Sequence, residues 1–73
     1  MREFAIAYSD QDGRDFGNNV PWIENNYNSK EECMEWVDKL TSNGFQRVTP
    51  FTYKQDEVLA EEIDWNFVEK HRI

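Results

Sequence analysis

A start signal at Ser29 and a stop signal at Gly44 constrain this chain more than anything else in it. Ser29 stands three residues before Glu32, the spacing of a capping box, in which each side chain satisfies the other residue's orphan backbone N–H. Glu31 and Glu32 lie at the positive end of the helix dipole. Asn43-Gly44 closes the segment, because Gly takes the left-handed conformation without a Cβ penalty. Between these signals Cys33, Trp36, Val37 and Leu40 recur at helical spacing as a narrow apolar stripe, and Glu35 and Lys39 form an i,i+4 pair opposite. The pattern predicts an amphipathic helix over 30–43, with Trp36 in its packing stripe.

One such helix needs a surface to bury against, and the flanking segments read as strands. Phe4, Ile6 and Tyr8 alternate with Ala5 and Ala7, placing large residues on one face and small ones on the other. The small face allows close approach of a neighbour such as a helix. Phe45 to Tyr53 is rich in Phe, Val, Thr and Tyr, with Pro50 suited to an edge or a bulge. Between the first strand and the helix, Ser9 to Gly13 is turn chemistry. Residues 14–28 read as mostly irregular, with a short strand around Val20 and Trp22 at most, because Pro21 argues against a central strand. After the loop 55–57 a third strand is expected near 58–63, then a helical turn over 65–71. In an alternative reading Asp64 caps a short helix.

These segments predict an α+β domain spanning 1–73. A mainly antiparallel sheet of about three strands, near 3–9, 46–53 and 58–63, packs one face on the helix. Phe4, Ile6, Tyr8, Trp36, Val37, Leu40, Phe45, Val48 and Phe51 supply its core. The strand–helix–strand order leaves a parallel pair with a right-handed crossover open.

At 73 residues a single core must suffice, and Cys33, the only cysteine, excludes an internal disulfide or a Cys/His zinc spacing. Three Trp, three Tyr and five Phe are the expected source of buried area, with a homodimer as the other means. So high an aromatic share also excludes a disordered chain. The apolar run Phe4 to Tyr8 is too short for a secretory signal, and no stretch approaches a membrane span, so the cytoplasm is the expected compartment.

Fifteen acidic against eight basic side chains give a net charge of −7. That balance argues against direct binding to nucleic-acid phosphates or anionic membranes. The charge is uneven: residues 46–54 carry +2, and residues 55–64 carry −5 through Asp56, Glu57, Glu61, Glu62 and Asp64. These acids are either a solvated face or a surface that docks on a basic partner, where complementarity supplies rate and specificity. Trp22 and Trp65 lie in less regular segments. They either cover the open face of the sheet or, rimmed by acids, form an interface hot spot.

The candidate partner-binding residues are therefore Trp22, Asp56, Glu57, Glu61, Glu62, Asp64 and Trp65. Asp10, Asp12 and Asp15 resemble an oxygen-ligand loop, but Gly13 and Pro21 stand at the wrong positions for an EF-hand, so a solvated Asp-Gly turn is expected. His71 reads as a surface residue at a helix C-terminus and Cys33 as a small core residue. No constellation for catalysis, metal or cofactor is evident. The leading expectation is a non-enzymatic protein-interaction domain, one version being an inhibitor encoded by a phage or mobile element. The alternative is a domain binding a small ligand or a divalent cation.

Overall fold

A computed structural model describes residues 2–73. The elements run β1 (Arg2–Ser9), β2 (Trp22–Tyr27), α1 (Lys30–Ser42), β3 (Gln46–Lys54), a 3-10 turn (Ala60–Glu62) and α2 (Trp65–His71). The sheet has the order β2-β1-β3, and both outer strands are antiparallel to β1. β2 and β3 therefore run in the same direction, with α1 crossing between them, but they do not pair. The architecture is the expected antiparallel α+β fold.

Helix α1 forms on the local signals that predict it. The Glu32 N–H donates to Ser29 Oγ at 3.1 Å. The reciprocal contact differs from an ideal box, because the Glu32 carboxylate accepts from the N–H of Asn28, one residue before the cap. At the other end Phe45 N–H donates to Leu40 O and Gly44 N–H to Thr41 O, a Schellman closure that needs Gly44 at φ 90°. Phe45 and Leu40 then pack on the same side of the sheet.

The central strand explains why both sheet faces are covered. Ala5 to Tyr8 are all buried. Ile6 and Tyr8 face Cys33 of α1, with Phe4, Tyr27, Val37, Leu40, Phe45 and Val48 packed around them. Ala5 and Ala7 face the other way and join Phe51, Tyr53, Ile63, Trp65 and Val68. The small face of β1 makes room for the bulkiest side chain in the protein. Trp65 fills it at 1% exposure.

Three expectations are corrected. Residues 58–63 form no strand: Ala60–Glu62 is a 3-10 turn that leaves Glu61 and Glu62 outside and delivers Ile63 to the second core. The third strand is instead β2, inside the segment expected to be irregular. Pro21 precedes it rather than interrupting it, so its missing N–H removes no ladder bond there. The core also has two layers rather than one, and Trp36 belongs to neither: it is 41% exposed.

Each outer strand carries one extra residue against β1. The register slips between Phe4 and Ile6 on the β2 side and between Ala7 and Ser9 on the β3 side. A left-handed residue marks each slip, Asn26 at φ 72° and Arg47 at φ 54°. Asn tolerates this conformation, whereas a long side chain pays about 1 kcal/mol or more. Arg47 gains an offset, since its guanidinium lies 3.9 Å over the ring of Trp65.

Candidate functional site

The loop between β1 and β2 builds one wall of the site. Asp10 Oδ1 accepts from the N–H groups of Asp12 and Arg14, and Gly13 at φ 79° completes the turn. Asp15 accepts from the Ser9 hydroxyl at 2.7 Å. These carboxylates are thus spent on the loop itself. Among the described residues no group of three acidic, His or Cys side chains comes together to hold a metal ion.

Beyond this turn, Gly17 and Val20 pair as a short bridge, helped by Asn19 at φ 58°. Asn19 O also accepts the N–H of Trp65, tying the loop to the start of α2. The chain then presents Phe16 and Trp22 side by side in an edge-to-face pair, centroids 4.9 Å apart. Phe16 is 65% exposed and Trp22 39%. With Val20, Pro21, Ile23 and Glu61 they line an apolar cleft of about 320 Å³.

The acidic segment reaches this cleft at one point. Glu61 forms part of its wall, so the fold brings Trp22 and Glu61 together across 39 positions of sequence. Asp56, Glu57 and Glu62 surround a neighbouring hollow of about 150 Å³ with Gln55, Val58 and the exposed Leu59. Lys54 lies 3.7 Å from Glu57, an exposed pair of small energetic value. Asp64 serves the fold instead, since its Oδ1 accepts the N–H of Phe67 and caps α2. Trp65 is buried, so it takes no part in an accessible surface. Its indole N–H finds no hydrogen-bond partner among the described residues.

A second cleft, about 410 Å³, runs between the far end of β2 and α1. Glu24, Asn25, Asn26 and Tyr27 form one side, and Glu32, Trp36 and Leu40 the other. Tyr8 Oη donates to Glu24 Oε1 at 3.1 Å. Burial, reinforced by Glu24 and then by Cys33, Tyr8 and Glu32, pushes the Tyr27 hydroxyl up to about 12. Tyr8 is raised by burial first and by Glu24 second. Lys39 Nζ sits 4.4 Å from the Trp36 ring centroid, which shows that the indole face accepts a cation.

Cys33 is not set up as a nucleophile. Burial, then the charge of Glu32, pushes its thiol up to about 11, and Sγ contacts Ala5 O at 3.6 Å. His71 is stacked on Phe67 and its Nδ1 is paired with Phe67 O at the end of α2.

Phe16 and the second cleft escaped the sequence reading. The signal for Phe16 was a large apolar residue isolated in a polar loop. For Trp36 no local signal separated it from the stripe; Cys33, Val37 and Leu40 pack toward Ile6 and Tyr8 and Trp36 does not. Comparison with protein-family models, curated proteins and solved structures finds no match for the chain.

Proposed function

We propose that the chain is a small non-enzymatic protein-interaction domain that docks its acidic, Trp22-bearing surface on a basic partner protein. The observation that carries this reading is the exposed Phe16–Trp22 pair at the mouth of an apolar cleft rimmed by Glu61. Aromatic side chains held in such a setting supply most of the energy of a protein interface, while surrounding charges select the partner and speed encounter. Asp56, Glu57 and Glu62 extend the negative surface next to the cleft, and the overall charge of −7 has the same sign. A cytoplasmic setting, and an inhibitor encoded by a phage or mobile element, are the concrete version of this reading. No described helix is long and apolar enough to cross a membrane.

The test compares three baits in a host lysate: the natural chain, F16S/W22S, and E57K/E61K/E62K. The expected result is a partner retained by the natural chain, lost by the aromatic variant and weakened at least tenfold by charge reversal. Recovery of the same proteins by all three baits overturns the reading. A second reading, small-ligand binding, is favoured by the cleft volume, at the lower end for ligand pockets. Saturable quenching of Trp22 fluorescence by one member of a metabolite panel, without a protein partner, would support it instead.

A further inference from the structure

The two margins of the sheet are finished differently. At β3, Arg72 bridges to Phe51 and Ile73 N–H donates to Pro50 O, so the end of the chain covers part of the outer edge. At β2, no strand or bridge among the described residues pairs with the outer edge. Unpaired edge N–H and C=O groups are a template for another strand. Both clefts open along this same strand, the apolar one at Trp22 and Ile23, the polar one from Glu24 to Tyr27.

We propose that the outer edge of β2 receives an extended segment of the partner protein, paired backbone to backbone. A large apolar residue of that segment enters the Phe16/Trp22 cleft, and a Lys or Arg enters the cleft of Glu24, Glu32 and Trp36. This binding mode rests on the interaction reading above and adds to it the conformation and chemistry of the bound segment. At about 3.3 Å per residue, Trp22 to Tyr27 spans roughly 16 Å, and because the two clefts lie on opposite faces of the sheet the two anchors fall an odd number of residues, about five, apart.

Charge decides the occupant. The polar cleft holds two carboxylates, no Lys or Arg is among its lining residues, and the one cation near it, Lys39, covers a face of Trp36. A second copy would set one charge of −7 against another, whereas a basic strand is attracted to Glu24 and Glu32. The bulge at Asn25 and Asn26 confines the regular ladder to Trp22–Glu24. So short an edge guards against indiscriminate strand addition and leaves selection to the two clefts.

Random twelve-residue peptides displayed and selected on the purified chain supply the probe. The expected consensus pairs an aromatic or large aliphatic residue with Lys or Arg about five positions away, on the opposite face of the strand. N-methylation of the selected peptide should abolish binding at alternate positions only, the mark of strand pairing. E24Q/E32Q, which leaves one oxygen on each side chain to accept from Tyr8 and from the Asn28 N–H, should weaken the basic peptide about tenfold and leave its Lys/Arg→Gln version unchanged. Overturning results are no enrichment, an acidic or unpatterned consensus, N-methylation that is harmless throughout, or sedimentation showing that the chain pairs with itself through β2. If these fail while lysate capture still depends on Phe16 and Trp22, strand addition is wrong and the interaction domain stands. Failure of both removes both.

Discussion

The two edges of the sheet end in opposite ways, although both belong to strands that carry a bulge. The β3 edge is partly covered, at Pro50 and Phe51, by Arg72 and Ile73, and it is backed by the second core, where Trp65 is sealed beneath Arg47. Among the described residues no strand or bridge pairs with the outer edge of β2, and the aromatic residues beside it, Phe16, Trp22 and Trp36, are all substantially exposed. The same residue type thus plays two parts. Trp65 holds the fold together, whereas Trp22 holds little of it and is free to serve a partner.

That contrast is open to direct attack, and Trp65 offers the largest effect. Trp65→Ala should cost about 3–5 kcal/mol in urea denaturation, because it opens a cavity under the small face of β1 and strands Arg47 in a strained conformation. Trp22→Ala should cost about 1 kcal/mol or less in the same experiment. Equal losses at the two positions would erase the distinction between the edges.

Next come the devices that close the covered side. Asp64→Ala removes the α2 cap and should cost about 1 kcal/mol, while Asp64→Asn should retain most of it. Removing Arg72 and Ile73 should cost about 1 kcal/mol and speed hydrogen exchange of β3 amides, leaving β2 amides as they were. Faster exchange in β2 after that truncation would mean that the two edges are not independent.

The burial of the α1-side layer is read through pH dependence. Cys33 and Tyr27 have pKa values raised on folding, to about 11 and about 12, so the unfolded chain loses these protons first. The stabilisation is complete below about pH 9 and is lost as pH climbs through the folded values. The urea midpoint should therefore fall from about pH 9 upward, and Cys33→Ala should flatten the first part of that fall. A midpoint that rises over this range contradicts the burial of both groups.

Legibility in the sequence followed the range of the interactions. Helix α1 could be read because Ser29, Asn43 and Gly44 act within a few residues of themselves, and β1 because its alternation is local. β2 could not, since Trp22 to Tyr27 becomes a strand only by pairing with Phe4 to Tyr8 across a loop. The strand expected over 58–63 is replaced by a 3-10 turn at Ala60–Glu62, after which Ile63 leads into the capped start of α2. Buried area, not spacing, decides there: the space above Ala5 and Ala7 accepts an indole. Of the candidate site, Trp22 and the acids of 55–64 were visible as residue types. Their meeting at Glu61 and the burial of Trp65 were properties of the fold, whereas Asp64 as the cap of a short helix was already readable as an alternative, because a cap acts locally.

The most direct measurement is residue-resolved amide hydrogen exchange on the free chain and on the chain saturated with a selected basic peptide. In the free protein, β2 amides should exchange faster than those of β1 and β3. On binding, the outward-facing amides within Trp22 to Glu24 should slow at least tenfold while residues 55–64 change little. Protection of β2 equal to that of β1 in the free protein, or new protection confined to 55–64, would contradict an open edge that serves as the docking surface.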